Sequence, residues 1–195
     1  HAVKSIVKQL NNESYDNSKK NGIVIDNKSN TLIYPEIKLE TYLNQTDVIS
    51  RLNLEENGYF VVSAHREENV DLKDNFEVLA ASLNRVAEKY QKPIIFSTHP
   101  RTKNRIEKNK IKFHSLIKNI PPLGFFDYVS LQKNAYVVLS DSGTISEESA
   151  MMGFPAVSIR TSTERPEAVD AGTVVLGGIG TNEVLNAIEI TKGLA

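Results

Sequence analysis

The sequence predicts an α/β fold in which a parallel sheet is covered by helices on both faces. Three observations predict it. From Tyr59 onward, short apolar runs alternate with amphipathic segments, the pattern of successive strand–helix–strand units. The runs are apolar throughout rather than alternating, as strands buried on both sides are. Each of the first two runs also stops at a polar group, Ala64-His65 and Thr98-His99, and ligands of open α/β sheets sit beyond the carboxyl ends of the strands.

The elements follow in order. Ala2, Val3, Ile6, Val7 and Leu10 recur at helical spacing and predict an opening amphipathic helix. Residues 11–31 are polar. Ile23-Val24-Ile25 and Thr31-Leu32-Ile33-Tyr34 flank an Asp-Asn-Lys-Ser-Asn stretch and predict a small hairpin. A helix is expected over Glu40 to Leu52. Tyr59 to Ser63 is the first strand of the main sheet. Asp74 precedes Phe76, Leu79, Ala80, Leu83, Val86, Ala87 and Tyr90, one apolar helical stripe. Pro93 to Ser97 is a strand, followed by a basic helical segment, and Ser115 to Ile120 another. Phe125 to Asn134 reads as a helix, Ala135 to Leu139 as a strand and Thr144 to Met152 as a helix. Strands at Pro155 to Ile159 and Thr173 to Leu176 and a helix at Glu183 to Lys192 complete the chain.

Bulk properties narrow the function. Of 195 residues 40% are hydrophobic and 24% charged, which suits a globular domain with a real core. The formal net charge of −1 gives no global field toward nucleic acid or anionic membrane. No apolar run approaches the ~20 residues needed to cross a bilayer. Cysteine is absent, removing disulfides and thiolate chemistry, and a cytoplasmic protein is expected. Four histidines without cysteine or a paired-histidine motif make no metal site. The N-terminal His1-Ala2-Val3-Lys4 lacks both an initiator methionine and a signal-peptide pattern, so the natural start is expected to lie upstream.

The chemistry is sought at the strand ends. Asp141-Ser142-Gly143-Thr144 opens a helix whose first amides have no intrahelical acceptor and carry partial positive charge. A phosphate fits there, but Asp141 or Ser142 could equally do no more than cap the helix. Thr144 and Glu148 are four apart on one face, and a carboxylate there could accept two hydroxyls of a ribose, or could merely be a solvated dipole partner. His65 and Arg66, after the first strand of the sheet, could neutralise a diphosphate, or His65 could simply be satisfied by backbone contacts beside a charged run lying in solvent. His99 carries the same ambiguity. The basic run Arg101, Lys103, Arg105, Lys108, Lys110 and Lys112 reads as a solvated face, and with no aromatic interleaved it does not predict nucleic-acid binding. Arg165, in the loop after a strand, could reach an anion or simply be exposed.

At these residues the chain resembles a known family. Ser63-Ala64-His65-Arg66-Glu67-Glu68-Asn69, Pro122-Leu123-Gly124-Phe125-Phe126-Asp127, Ser140-Asp141-Ser142-Gly143 with Glu147-Glu148, Thr163-Glu164-Arg165-Pro166-Glu167-Ala168 and Ala171-Gly172-Thr173 are similar, in order and spacing, to the non-hydrolysing UDP-N-acetylglucosamine 2-epimerases. The resemblance runs from about Tyr59 to Gly177. It implies two Rossmann-like domains facing across a cleft, the GT-B architecture shared with many glycosyltransferases, of which this chain is the second. Residues 1–58 would lead from the hinge and 59–195 would form the UDP-binding domain. His65 would approach the diphosphate and act in catalysis. Ser142, Gly143 and Thr144 would bind phosphate, Glu148 the ribose hydroxyls, Tyr128 uracil through its backbone, Leu123 a further part of the nucleotide, and Arg165 the sugar or phosphate side. Arg66 and His99 match positions linked in some members to a second, activating UDP-sugar.

The resemblance also implies the reaction. UDP is eliminated to a 2-acetamidoglucal and added back with inversion at C2, without a cofactor or metal, in precursor synthesis for surface polysaccharide. The UDP-sugar is the partner, and a homodimer is implied for the full-length protein. Proton transfer at C2 would belong to the other domain. The hexosamine could be the UDP-GlcNAc/UDP-ManNAc pair or a 6-deoxy-L analogue. The rival readings are the nucleotide-sugar domain of a GT-B glycosyltransferase and a non-catalytic nucleotide-sugar sensor.

Overall fold

A computed structural model of the chain describes residues 24–26, 31–33, 43, 46–160 and 174–194. The opening helix at residues 2–10, the loop bearing Arg165, and most of the segment between Glu40 and Asp47 lie outside them. Two units are distinguished, residues 1–45 and Thr46–Ala195. In the first, β1 (Val24–Asp26) and β2 (Thr31–Ile33) pair antiparallel with Val24 opposite Ile33, the hairpin expected on either side of the Asp-Asn-Lys-Ser-Asn stretch.

The second unit holds a parallel sheet of six strands. They are β3 (Phe60–Ser63), β4 (Ile94–Ser97), β5 (Ile117–Ile120), β6 (Val137–Ser140), β7 (Ala156–Ser158) and β8 (Val174–Leu176). Their spatial order is β5-β4-β3-β6-β7-β8. Successive connections therefore run outward from β3 in one direction as far as β5, then return to β6 and run outward in the other. This is the Rossmann-like order, and its switch point lies between β3 and β6.

Register fixes what stands at that point. Ser63 pairs with Ser97 on one side and Ser140 on the other, and Ser140 pairs with Ser158. Four strands thus end level, in a row of serines. His65, His99 and Ser142, each two residues further on, leave the sheet at one height.

Both faces are covered, which explains the unbroken apolar runs. Alternate residues Phe60, Val62, Phe96, Val137, Leu139 and Val157 pack against α3 (Lys73–Tyr90) and α7 (Thr181–Leu194). The others, Val61, Ile95, Val138 and Ala156, face the opposite layer with α1 (Val48–Arg51), α5 (Phe125–Lys133) and α6 (Ile145–Met152). The stripe on α3 is buried as its spacing requires, with Phe76, Leu79 and Leu83 inaccessible. α4 (Pro100–Lys108) buries Thr102, while its basic residues lie half-buried or exposed, Arg101 pairing with Glu67 and Asp71. Among the described residues no helix is long and apolar enough to cross a membrane.

Of the helix expected over Glu40 to Leu52, the residues described from Thr46 on form only α1, with Thr46 and Asp47 outside it. Other differences from expectation have local reasons. β5 starts at Ile117 because the amide of Leu116 donates to His114 Nδ1 at 3.2 Å and that of Ile117 to the His114 carbonyl at 2.9 Å, a turn that occupies the preceding residues. α7 starts at Thr181, two residues early, because the Glu183 carboxylate reaches back to the Gly180 amide at 3.1 Å, satisfying an amide that the helix leaves free. The charged run after His65 holds a short helix, α2 (Glu67–Val70), whose Asn69 and Val70 are buried.

Phe76 is wholly buried beneath the sheet. Phe76→Ala is expected to destabilise the domain by about 3–5 kcal/mol, read as a lower urea midpoint with unchanged slope.

Candidate functional site

The site grows from the two central strand ends. Asp141, the first residue past β6, is fully buried. An isolated carboxylate there would be costly, and the loop after β3 supplies its partners. The His65 amide donates at 2.9 Å, the Arg66 amide at 2.9 Å and Asn69 Nδ2 at 3.2 Å, all to Oδ2. His65 Nδ1 lies 3.1 Å from Oδ1. Asp141 does not cap α6; it folds the β3 loop onto the end of β6. Asn69 Nδ2 extends the tie to β7 by donating to the Ile159 carbonyl at 2.9 Å.

His65 is consequently oriented, and its protonated form is favoured. The hydrogen bond to Asp141 raises its pKa above the ordinary 6.5, helped by the carboxylate's charge and opposed by partial burial and by Arg66. With Nδ1 turned to Asp141, Nε2 of the imidazolium is the ring's second donor. Arg66 lies across the start of the next helix, since a Cβ on Gly143 would meet its guanidinium at 3.2 Å. Any side chain at 143 would press on that cation, so glycine keeps the approach open.

Beyond β6 the backbone turns through Ser142, whose amide donates to Ser140 Oγ at 3.1 Å. Thr144 is the N-cap residue of α6, and no side chain caps the helix. The Ser142 hydroxyl accepts the Thr144 amide at 3.3 Å and shares a 3.0 Å hydrogen bond with the Thr144 hydroxyl. The N-cap side chain itself makes no capping hydrogen bond, as an open helix start requires. The Thr144 hydroxyl donates to Glu148 Oε1 at 2.7 Å, and Gln132 Nε2, from α5, donates to Oε2 at 3.1 Å. The carboxylate is thereby held on the same side as the helix start.

The other expected residues are placed less centrally. Tyr128 is half-buried on α5; its hydroxyl shares a hydrogen bond with Ser63, and burial pushes its pKa up to about 12, so it is a neutral phenol. Leu123 packs on the apolar layer beside α5. His99 precedes Pro100 at the start of α4, exposed and one strand removed from His65. The spacing arguments missed the roles of Asn69 and Gln132. Gln132 had a faint signal, since it lies one turn after Tyr128 on the same face of α5.

Chemically the arrangement is an anion receptor beside a hydroxyl receptor. Helix-start amides, the Ser142 hydroxyl and the His65 and Arg66 cations can hold a phosphate or diphosphate. Glu148 can accept neighbouring hydroxyls.

A folded pKa above the unfolded value means that the His65–Asp141 contact contributes its full stability below about 6.5. That contribution is lost as pH rises through the raised value. An NMR titration of His65 should therefore show a midpoint above 6.5, and Asp141→Asn should lower it. An unmoved midpoint in the variant would remove Asp141 as the cause.

The sequence profile described as UDP-N-acetylglucosamine 2-epimerase matches residues 23–193. A UDP-N-acetylglucosamine 2-epimerase of Methanocaldococcus jannaschii is 38% identical over 139 residues, covering 69% of this chain and 38% of that protein. A structure of that enzyme type from Rickettsia bellii is similar with a TM-score of 0.69 at 40% identity, over 80% of this chain and 41% of the other. A crystal structure of the Methanocaldococcus jannaschii UDP-GlcNAc 2-epimerase in complex with UDP-GlcNAc and UDP gives a TM-score of 0.71 at 35% identity, over 78% of this chain and 43% of the other. This chain spans less than half the length of each of these proteins. With the profile matched along most of its sequence, the chain belongs to the UDP-N-acetylglucosamine 2-epimerase family.

Proposed function

We propose that this chain is the UDP-binding half of a UDP-N-acetylhexosamine 2-epimerase of GT-B architecture, working on the UDP-GlcNAc/UDP-ManNAc pair in the cytoplasm. The observation that carries the proposal is the juxtaposition at the switch point of an uncapped helix start, a His65 bonded to Asp141 and a Glu148 carboxylate held by two donors. Anion donors beside a hydroxyl acceptor suit a diphosphate joined to a ribose. The similar enzyme with UDP-GlcNAc and UDP bound supports it.

In this reading the β-phosphate lies against the α6 amides and Ser142, with His65 Nε2 and Arg66 facing its oxygens. When the C1–O bond breaks, its electron pair goes to the departing UDP. Donors already aimed at that charge stabilise the transition state without reorganising. Loss of the C2 proton completes the 2-acetamidoglucal, and UDP then returns as the proton is delivered to the other face. The groups that move that proton belong to a domain outside this chain. Arg165 completes the sugar side, and Leu123 and the backbone of Tyr128 border the uracil. The whole enzyme works as a homodimer and supplies surface-polysaccharide precursors.

Calorimetric titration with UDP, against ADP as control, tests the site. UDP should bind selectively, and Ser142→Ala and Glu148→Gln should each weaken it by about tenfold, the loss of one charge-assisted hydrogen bond. Equal affinity for UDP and ADP, or indifference to both substitutions, would overturn the assignment.

A further inference from the structure

Gln132 is buried to 1% exposure, yet it is polar and sits on a helix whose task is otherwise apolar packing. Its neighbours on α5, Leu131 and Val129, are buried among hydrophobic side chains. Burying an amide in such a layer is unfavourable unless it finds partners. The partner it finds is Glu148 Oε2, at 3.1 Å. A carboxylate only accepts, so the Gln132 amide must present its NH2 group there.

The consequence follows from counting acceptor positions on Glu148. An ionised carboxylate has two oxygens with about two lone-pair sites each. Thr144 takes one on Oε1 and Gln132 takes one on Oε2. One site remains on each oxygen, and the plane of the group is fixed from both sides. Two adjacent acceptors held in one plane match a vicinal diol, each oxygen receiving one hydroxyl. A carboxylate tied through one oxygen only could rotate and serve a single hydroxyl about as well as two.

We infer that Gln132 is a positioning residue that makes the nucleotide site select ribose over 2′-deoxyribose, acting through Glu148. The inference rests on the nucleotide reading given above and adds to it a determinant on a different helix. Tyr128, one turn earlier on α5, packs in the same apolar layer as Leu131.

The test is the ratio of affinities for UDP and 2′-deoxy-UDP in the full protein and in Gln132→Met, with Thr144→Val and Glu148→Gln alongside. A loss of general stability weakens both ligands alike, so the ratio isolates the diol. The unaltered protein should favour UDP by about tenfold or more, because a site built to pair a hydroxyl rejects its absence. Gln132→Met should bring the ratio below about threefold, and Thr144→Val, which removes the other tie from a more exposed position, should move it the same way. A ratio that falls in Glu148→Gln but not in Gln132→Met overturns the inference and leaves the nucleotide site standing. A ratio unmoved in Glu148→Gln overturns both.

Discussion

A buried carboxylate organises this domain. Asp141 has no contact with water and is made tolerable there by two backbone amides, an amide side chain and an imidazole, all from the segment His65 to Asn69. Its partners lie up to 76 residues away in sequence. Removing them would leave a charge without solvation in an apolar setting, a penalty of several kcal/mol. The conformation of the loop after β3 and the turn after β6 are consequently one problem with one solution. The orientation of His65, the place of Arg66 over Gly143 and the burial of α2 all follow from it.

The opposite end of the sheet has a different character. Phe60, Tyr90 and Tyr136 meet with ring centroids 5.3–6.0 Å apart. The ammonium groups of Lys92 and Lys192 stand 4.9 and 4.4 Å from the Tyr136 ring. Lys89 and Tyr90 both donate to Glu189 of α7. These contacts tie the C-terminal ends of α3 and α7 to the strand starts. Packing and cation–π attraction hold this end, so the strand ends across the sheet can spend their polar groups on a ligand.

The sequence displayed the sheet openly, because strands buried on both faces have few alternatives to an unbroken apolar run. The stripe on α3 was equally plain. The site was legible as far as its position: polar residues after β3, β4 and β6 had to gather if the strands were parallel. What periodicity does not carry is pairing at long range. For Asp141 the spacing offered a helix start to cap or a phosphate to bind, and hid the amides of His65 and Arg66. Gln132 read as one more residue of an apolar helix, since its partner arrives from a different element. The run Arg66 to Asn69 read as solvated charge, although Asn69 is among the most buried polar residues. The motif resemblance supplied roles that the spacing left open, and it named the family before any geometry was available.

The divided origin of the site also bears on how the domain assembles. Strands β3 to β5 and β6 to β8 are the two halves of the sheet, paired along the β3–β6 seam, with α3 and α7 also packed across it. One half brings the imidazole and the guanidinium, the other the helix start and the Glu148 carboxylate. Neither half has a receptor by itself. Any ligand that binds groups from both halves stabilises the seam in register. A slip of the seam by one residue would invert the faces of a whole half and part those groups.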